Sequence, residues 1–172
     1  MELERKYVAG APKIADGCVI SGYASRFGLA DQGGDVVMPG AFRASLAGLA
    51  AKGERVRMLW QHDPAQPIGV WDEIREDATG LWVKGRLLPE IAQAREAMAL
   101  VAAGALDGLS IGYRTIRAER GPGGLRQLAE LALWEVSLVT FPMLGEARIS
   151  GKSSDEQAMA AALRDAAAVL RG

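Results

Sequence analysis

The chain has 172 residues, 49% of them hydrophobic, with 20 basic and 21 acidic side chains and a formal charge of −1. That length suffices for one domain with a substantial core, and the balanced charge leaves no electrostatic footprint for a polyanion, which argues against nucleic acid as a main partner. A single cysteine, Cys18, excludes an internal disulfide, and one cysteine with one histidine cannot assemble a zinc site from several such ligands. The opening "MELERKYVAG" lacks the apolar stretch of a signal peptide, and no apolar run approaches the roughly 20 residues of a membrane-spanning helix. A cytoplasmic protein with no membrane partner is expected. There is no asparagine, which removes N-glycosylation and any Cys-His-Asn arrangement. No GxxxxGK[ST] loop is present, and "GPGGLR" is not a GxGxxG fingerprint.

In chain order, "CVISGYASRF" reads as a strand and "GLADQGGDVVMPG" as a turn-rich connection. "PGAFRASLAGLAAKG" has the composition of a short helix with a glycine stop. "RVRMLWQHD" is a strand whose alternation puts Val56, Met58, Trp60 and His62 on one face, with "QHDP" as a turn. "PIGVWDEIRED" and "GLWVKGRLL", joined by "DATG", form a hairpin. "PEIAQAREAMALVAAGAL" is a helix with Pro89 at a tolerated N-terminal position and Gly104 as its stop. "LSIGYRTIRAER" and "LRQLAELALWEVSLVTF" flank "GPGG" as another strand pair. Beyond Pro142 the composition shifts to "GKSSDEQ" and then "AMAAALRDAAAVLRG". Residues 1–150 are therefore expected to form the domain, and 151–172 a linker with a peripheral helix or disordered tail. The sum is an α+β fold, mainly an antiparallel sheet that curls toward a barrel, with helices around it.

Three residues stand out chemically. His62 is the only histidine, and it suits either acid–base chemistry or a hydrogen bond within a turn. Ser110 shares a strand face with Gly112 and Arg114, opposite Leu109, Ile111 and Tyr113, so a substrate carbonyl could approach it closely. It is also one of eight serines, and the same pattern fits one that fills a tight strand position. Glu135 lies in the most apolar strand, on a face that alternation shares with Leu133, Ser137, Val139 and Phe141. Burying a carboxylate costs several kcal/mol unless it is paired, so Glu135 requires a partner. Arg114, Arg126 and Arg148 are candidates for a purely structural ion pair.

Taken in order, four blocks resemble the prohead maturation proteases of tailed bacteriophages, a family distantly similar in fold to the herpesvirus capsid proteases called assemblins. They are "GYASRFGLADQGGDVVMPGAF", "LWQHDPAQPIGVWDEIREDATGLWVKGRL", "VAAGALDGLSIGYR" and "LALWEVSLVTFP", and together they cover roughly residues 18 to 149. The resemblance implies a herpesvirus-protease-like barrel and a serine endopeptidase with Ser110 as nucleophile, His62 as general base and Glu135 as third member. The second block carries the family's histidine and the third its serine. After "TFP" the chain has "MLGEA" where the family often has an A-N-P turn. Assemblins use a second histidine as third member, and this chain has none.

The implied chemistry is acyl transfer. His62 would take the Ser110 proton and return it to the leaving amine, so activity should rise with pH as the imidazole loses its proton. Backbone N–H groups near "SIGYR" are the expected oxyanion donors. Asp63 competes with Glu135 as orienter by adjacency, although alternation turns it away from the ring. The resemblance further implies capsid and scaffolding protein as substrates inside an assembling prohead in a bacterial host, self-cleavage, and no metal or organic cofactor. A homo-oligomer is compatible with it. The alternative is a non-enzymatic scaffold or assembly module that keeps the fold. The complete Ser110, His62 and Glu135 set argues against that alternative.

Overall fold

The computed structural model describes residues 19–141 together with the backbone of two N-terminal strands, Glu4–Ala9 (β1) and Lys13–Ala15 (β2). These two strands were not anticipated. The remaining elements are β3 (Val19–Arg26), β4 (Asp35–Val37), α1 (Arg43–Lys52), β5 (Arg57–Trp60), β6 (Asp63–Glu76), β7 (Gly80–Leu87), α2 (Ala92–Ala102), β8 (Gly108–Arg120) and β9 (Arg126–Val139). One nine-stranded sheet runs β1-β8-β9-β5-β6-β7-β3-β2, with β4 also paired to β9. Its pairings are antiparallel except β4/β9 and β5/β9. The sheet curls until β1 and β8 meet β3. The fold is thus mixed α+β with a curled, half-barrel sheet and few helices. The tail expected at 151–172 lies outside the described residues.

Both helices fall in the expected segments. Gly53 ends α1 in the left-handed conformation with φ 66°, which a side chain would resist. The start of α1 borrows its cap from another element: the Glu76 carboxylate on β6 accepts the N–H groups of Gly40 (2.6 Å) and Phe42 (3.1 Å). α2 starts at Ala92, three residues beyond Pro89, so that proline precedes the helix instead of occupying its first turn. β6 starts earlier than expected, at Asp63, and carries Pro64 and Pro67 within its length.

β9 organises the molecule. One edge pairs with β8 along nearly its whole length. The other edge is shared in sequence by β4, by the start of α1 (Leu131 N–H to Ala41 carbonyl, 2.9 Å; Leu133 N–H to Ser45 Oγ, 2.9 Å), and by β5. The core gathers Leu109, Ile111 and Tyr113 from β8, Leu131, Leu133, Val136 and Leu138 from β9, and Val56 and Met58 around β5, against Phe42, Trp71 and Leu81. Each such side chain contributes about 1.5–3 kcal/mol by leaving water. The β8/β9 register slips at Trp134, where β9 carries one extra residue between the pairs Gly112–Glu135 and Tyr113–Leu133. That bulge reverses the phase of the strand. Leu133 faces the core, and Glu135 and Ser137 face away from it on the side of Ser110 and Gly112.

Candidate active site

Ser110 lies near the start of β8, opposite Ser137 of β9 in register, while Gly112 lies opposite Glu135. Directly opposed side chains share a face with Cβ atoms about 4.5–5.5 Å apart. The parallel pairing of β5 to β9 sets Leu59 beside Ser137 and Trp60 beside Leu138, so β5 ends next to the pair of serines. Ser110 and Ser137 are fully buried, and His62 and Glu135 nearly so.

His62 does not follow the alternation of β5. Gln61 and His62 both have positive φ, 51° and 62°, in the tight connection between β5 and β6. Two successive positive values suit the right-handed twist of a two-residue hairpin. For side chains other than glycine they cost about 1–2 kcal/mol each. The turn swings His62 off the Val56–Met58 face and onto that of Glu135. This corrects the expectation from strict alternation. The strain is held by β9: Gln61 N–H bonds the Leu138 carbonyl at 2.9 Å, the Gln61 amide bonds the Thr140 hydroxyl, and His62 N–H donates to Ser137 Oγ at 3.2 Å.

The carboxylate of Glu135 has the partner its burial requires. Oε1 lies 2.5 Å from His62 Nδ1, and Oε2 accepts the Ser137 hydroxyl at 2.5 Å. A carboxylate can only accept, so Nδ1 carries the ring proton and Nε2 is left as the basic nitrogen. Of the arginine alternatives, Arg148 lies outside the described residues, and the other two make contacts elsewhere. Arg126 holds Asp35 through two contacts of 2.8 and 2.6 Å, and Arg114 sits 5.9 Å over the Trp134 ring. Asp63 accepts Ala65 N–H at 2.8 Å and the Gln66 amide at 3.1 Å, which makes it a turn residue.

Two residues sequence reasoning missed complete the arrangement. Ser137 links Glu135 to the backbone of His62, and the signal was present as a polar residue two positions along on the same face of an apolar strand. Gly112 was read as room for a substrate. A Cβ there would stand 2.2 Å from Glu135 Oε1 and 2.9 Å from its Cγ, so the glycine makes room for the carboxylate. One expectation fails on topology. β8 pairs with β1 on one edge and β9 on the other, so its backbone N–H groups around Ser110–Gly112 are committed to ladders rather than to an oxyanion. No group of three or more His, Cys, Asp or Glu side chains able to hold a metal occurs among the described residues.

Comparison with known proteins follows the same lines. The chain is similar to the prohead protease of Enterobacteria phage HK97, 34% identical over 139 residues, covering 79% of this chain and 60% of that protein. It thus spans about three-fifths of that relative's length. It is also similar to the capsid polyprotein of Pseudomonas phage PAJU2, 34% identical over 116 residues, covering 63% of this chain and 17% of that one. Among solved structures, the bacteriophage T4 capsid assembly protease shares the fold with a TM-score of 0.62 at 13% identity, covering 80% of this chain and 97% of the other. Residues 5–162 match the Caudovirus prohead serine protease family, and the chain belongs to that family.

Proposed function

We propose that this chain is a serine endopeptidase that cleaves capsid and scaffolding protein during prohead maturation, and cleaves itself, with Ser110 as nucleophile, His62 as general base and Glu135 as the orienting carboxylate. The observation that carries the reading is the 2.5 Å contact of His62 Nδ1 with Glu135, two residues along β9 from the serine that opposes Ser110. Serine is a poor nucleophile at its ordinary pKa, so His62 Nε2 removes the Ser110 proton as Oγ attacks the peptide carbonyl. The imidazolium then protonates the leaving amine, and Glu135 stabilises the cation through Nδ1. Water repeats the cycle on the acyl-enzyme. Membership of the prohead protease family and likeness to a capsid polyprotein support a capsid-derived substrate and an assembling prohead in the bacterial host as its setting. Described residues contain no helix long and apolar enough to cross a membrane. The herpesvirus-protease-like architecture and a homo-oligomer belong to the same proposal.

The test is co-expression with the phage capsid protein, followed by mass spectrometry of the capsid protein's amino terminus. A new terminus with the wild-type chain, absent with Ser110→Ala, is expected. Equal processing by both would overturn the assignment.

A further inference from the structure

We infer that Ser137 is a positioning residue for the reaction, a hydroxyl that locks the carboxylate and the backbone of the base into one unit. The inference rests on the proposed Ser110–His62–Glu135 chemistry and goes one residue beyond it. Ser137 Oγ donates to Glu135 Oε2 at 2.5 Å and accepts the His62 N–H at 3.2 Å, while Glu135 Oε1 holds Nδ1 of the same histidine at 2.5 Å. The three contacts close a ring through the backbone and side chain of His62. Each end of that ring has something to restrain. Glu135 has three rotatable side-chain torsions, and its carboxylate lies against Gly112, which offers it no side-chain partner, so its orientation is set by its hydrogen bonds. His62 has φ 62°, a conformation that persists only where the surroundings hold it.

Ser137 is buried among Val136, Leu138 and Val139, so its hydroxyl needs to be satisfied; donor and acceptor capacity are both spent on the base and its orienter. It stands opposite Ser110 across the β8/β9 pair, so any tilt of the histidine it permits is a tilt relative to the nucleophile. A misplacement of about 1 Å at a reacting group costs on the order of 10²-fold in rate.

Two measurements test this. On a capsid-derived peptide with a cleavage site located by mass spectrometry, Ser137→Ala should lower kcat on the order of 10²-fold with KM changed less than about threefold. Second, because His62 is the only histidine, its ring ¹⁵N signals are unambiguous. In the Ser110→Ala protein they should report the Nδ1–H tautomer, with a His62 backbone amide protected from exchange. Adding Ser137→Ala should mix the tautomers and release that amide. If the added variant does not fold, the Ser110→Ala protein still decides, since an unprotected His62 amide there overturns the inference. Unchanged kcat and ring signals in Ser137→Ala overturn it too, and leave the protease assignment standing. Cleavage that survives Ser110→Ala and vanishes in Ser137→Ala makes Ser137 the nucleophile, which overturns both.

Discussion

Replacing Glu135 by glutamine tests the site with almost no change of shape. The carboxylate now receives a hydrogen bond at each oxygen, from Nδ1 of His62 and from the hydroxyl of Ser137. A glutamine amide can enter that slot in two ways. With its NH₂ toward His62, donor meets donor unless the ring moves its proton to Nε2, and the ring can then no longer accept the proton of Ser110. With its carbonyl toward His62 the tautomer survives, but the NH₂ meets the Ser137 hydroxyl, and no negative charge faces the imidazolium. The wrong-tautomer case costs on the order of 10⁴-fold in turnover by analogy with the serine-protease template. That is about 5.4 kcal/mol of transition-state stabilisation at about 1.36 kcal/mol per decade. Asp63→Asn is the control. Its oxygen toward the Ala65 N–H is retained, and only the contact with the Gln66 amide changes, so turnover should stay within about threefold, roughly 0.65 kcal/mol. Both variants and wild type are assayed side by side on the capsid-derived peptide, with circular dichroism to establish folding. If Asp63→Asn cripples turnover while Glu135→Gln does not, the third member is misassigned.

Other outcomes follow from neighbouring geometry. Ser110→Ala should abolish processing with a melting temperature within a few degrees of wild type, since it removes one hydroxyl and leaves the ladder intact; residual cleavage would move the nucleophile elsewhere. Gly112→Ala puts a methyl where Glu135 Oε1 stands, 2.2 Å from the new Cβ. It should displace the carboxylate and lower kcat steeply, yet add little in a Glu135→Gln background, because both changes strike one contact. Asp77 gives a pH prediction. Partial burial raises its pKa, but hydrogen bonds from the Thr79 and Gly80 N–H groups, the Tyr23 hydroxyl and Arg75 outweigh this and hold it below the ordinary carboxylate range. Its stabilisation is therefore present above the unfolded value of about 3.9 and lost as pH falls through the lower folded value. Asp77→Asn should lower the melting temperature at neutral pH, with the difference closing in acid. A difference that stays unchanged as the pH is lowered through the acid range would refute the carboxylate's role.

The sequence makes plain what local rules govern. Period two in "GLWVKGRLL" and "LSIGYRTIRAER", glycine at the end of "LAGLAAKG" and the polar break at "QHDP" each locate an element to within a few residues of where it lies. β1 escaped because it pairs with β8, a strand remote from it in sequence, and β2 because it is only three residues long, although its partner β3 follows it directly. Faces were harder than elements. Alternation predicts that Glu135 joins Leu133, and that His62 joins Met58, and both fail at a single irregularity each: the extra residue at Trp134 and the two positive φ values at Gln61 and His62. "QHDP" marks the place of the turn but not its left-handed conformation, and no glycine or asparagine marks either irregularity.

These two irregularities are one device seen from two strands. Without the bulge, Glu135 would keep the phase of Leu131 and Leu133 and point into the hydrophobic core, where no donor awaits it. Without the left-handed turn, His62 would follow Val56 and Met58 into the same core. Each change alone would bury a polar group without its partner, at about 1–3 kcal/mol or more for a charge. Together they bring the carboxylate, Ser137 and the imidazole to the opposite face, where Ser110 stands. Local rules fail here because the site needs a polar arrangement that a regular amphipathic sheet would divide between its two faces.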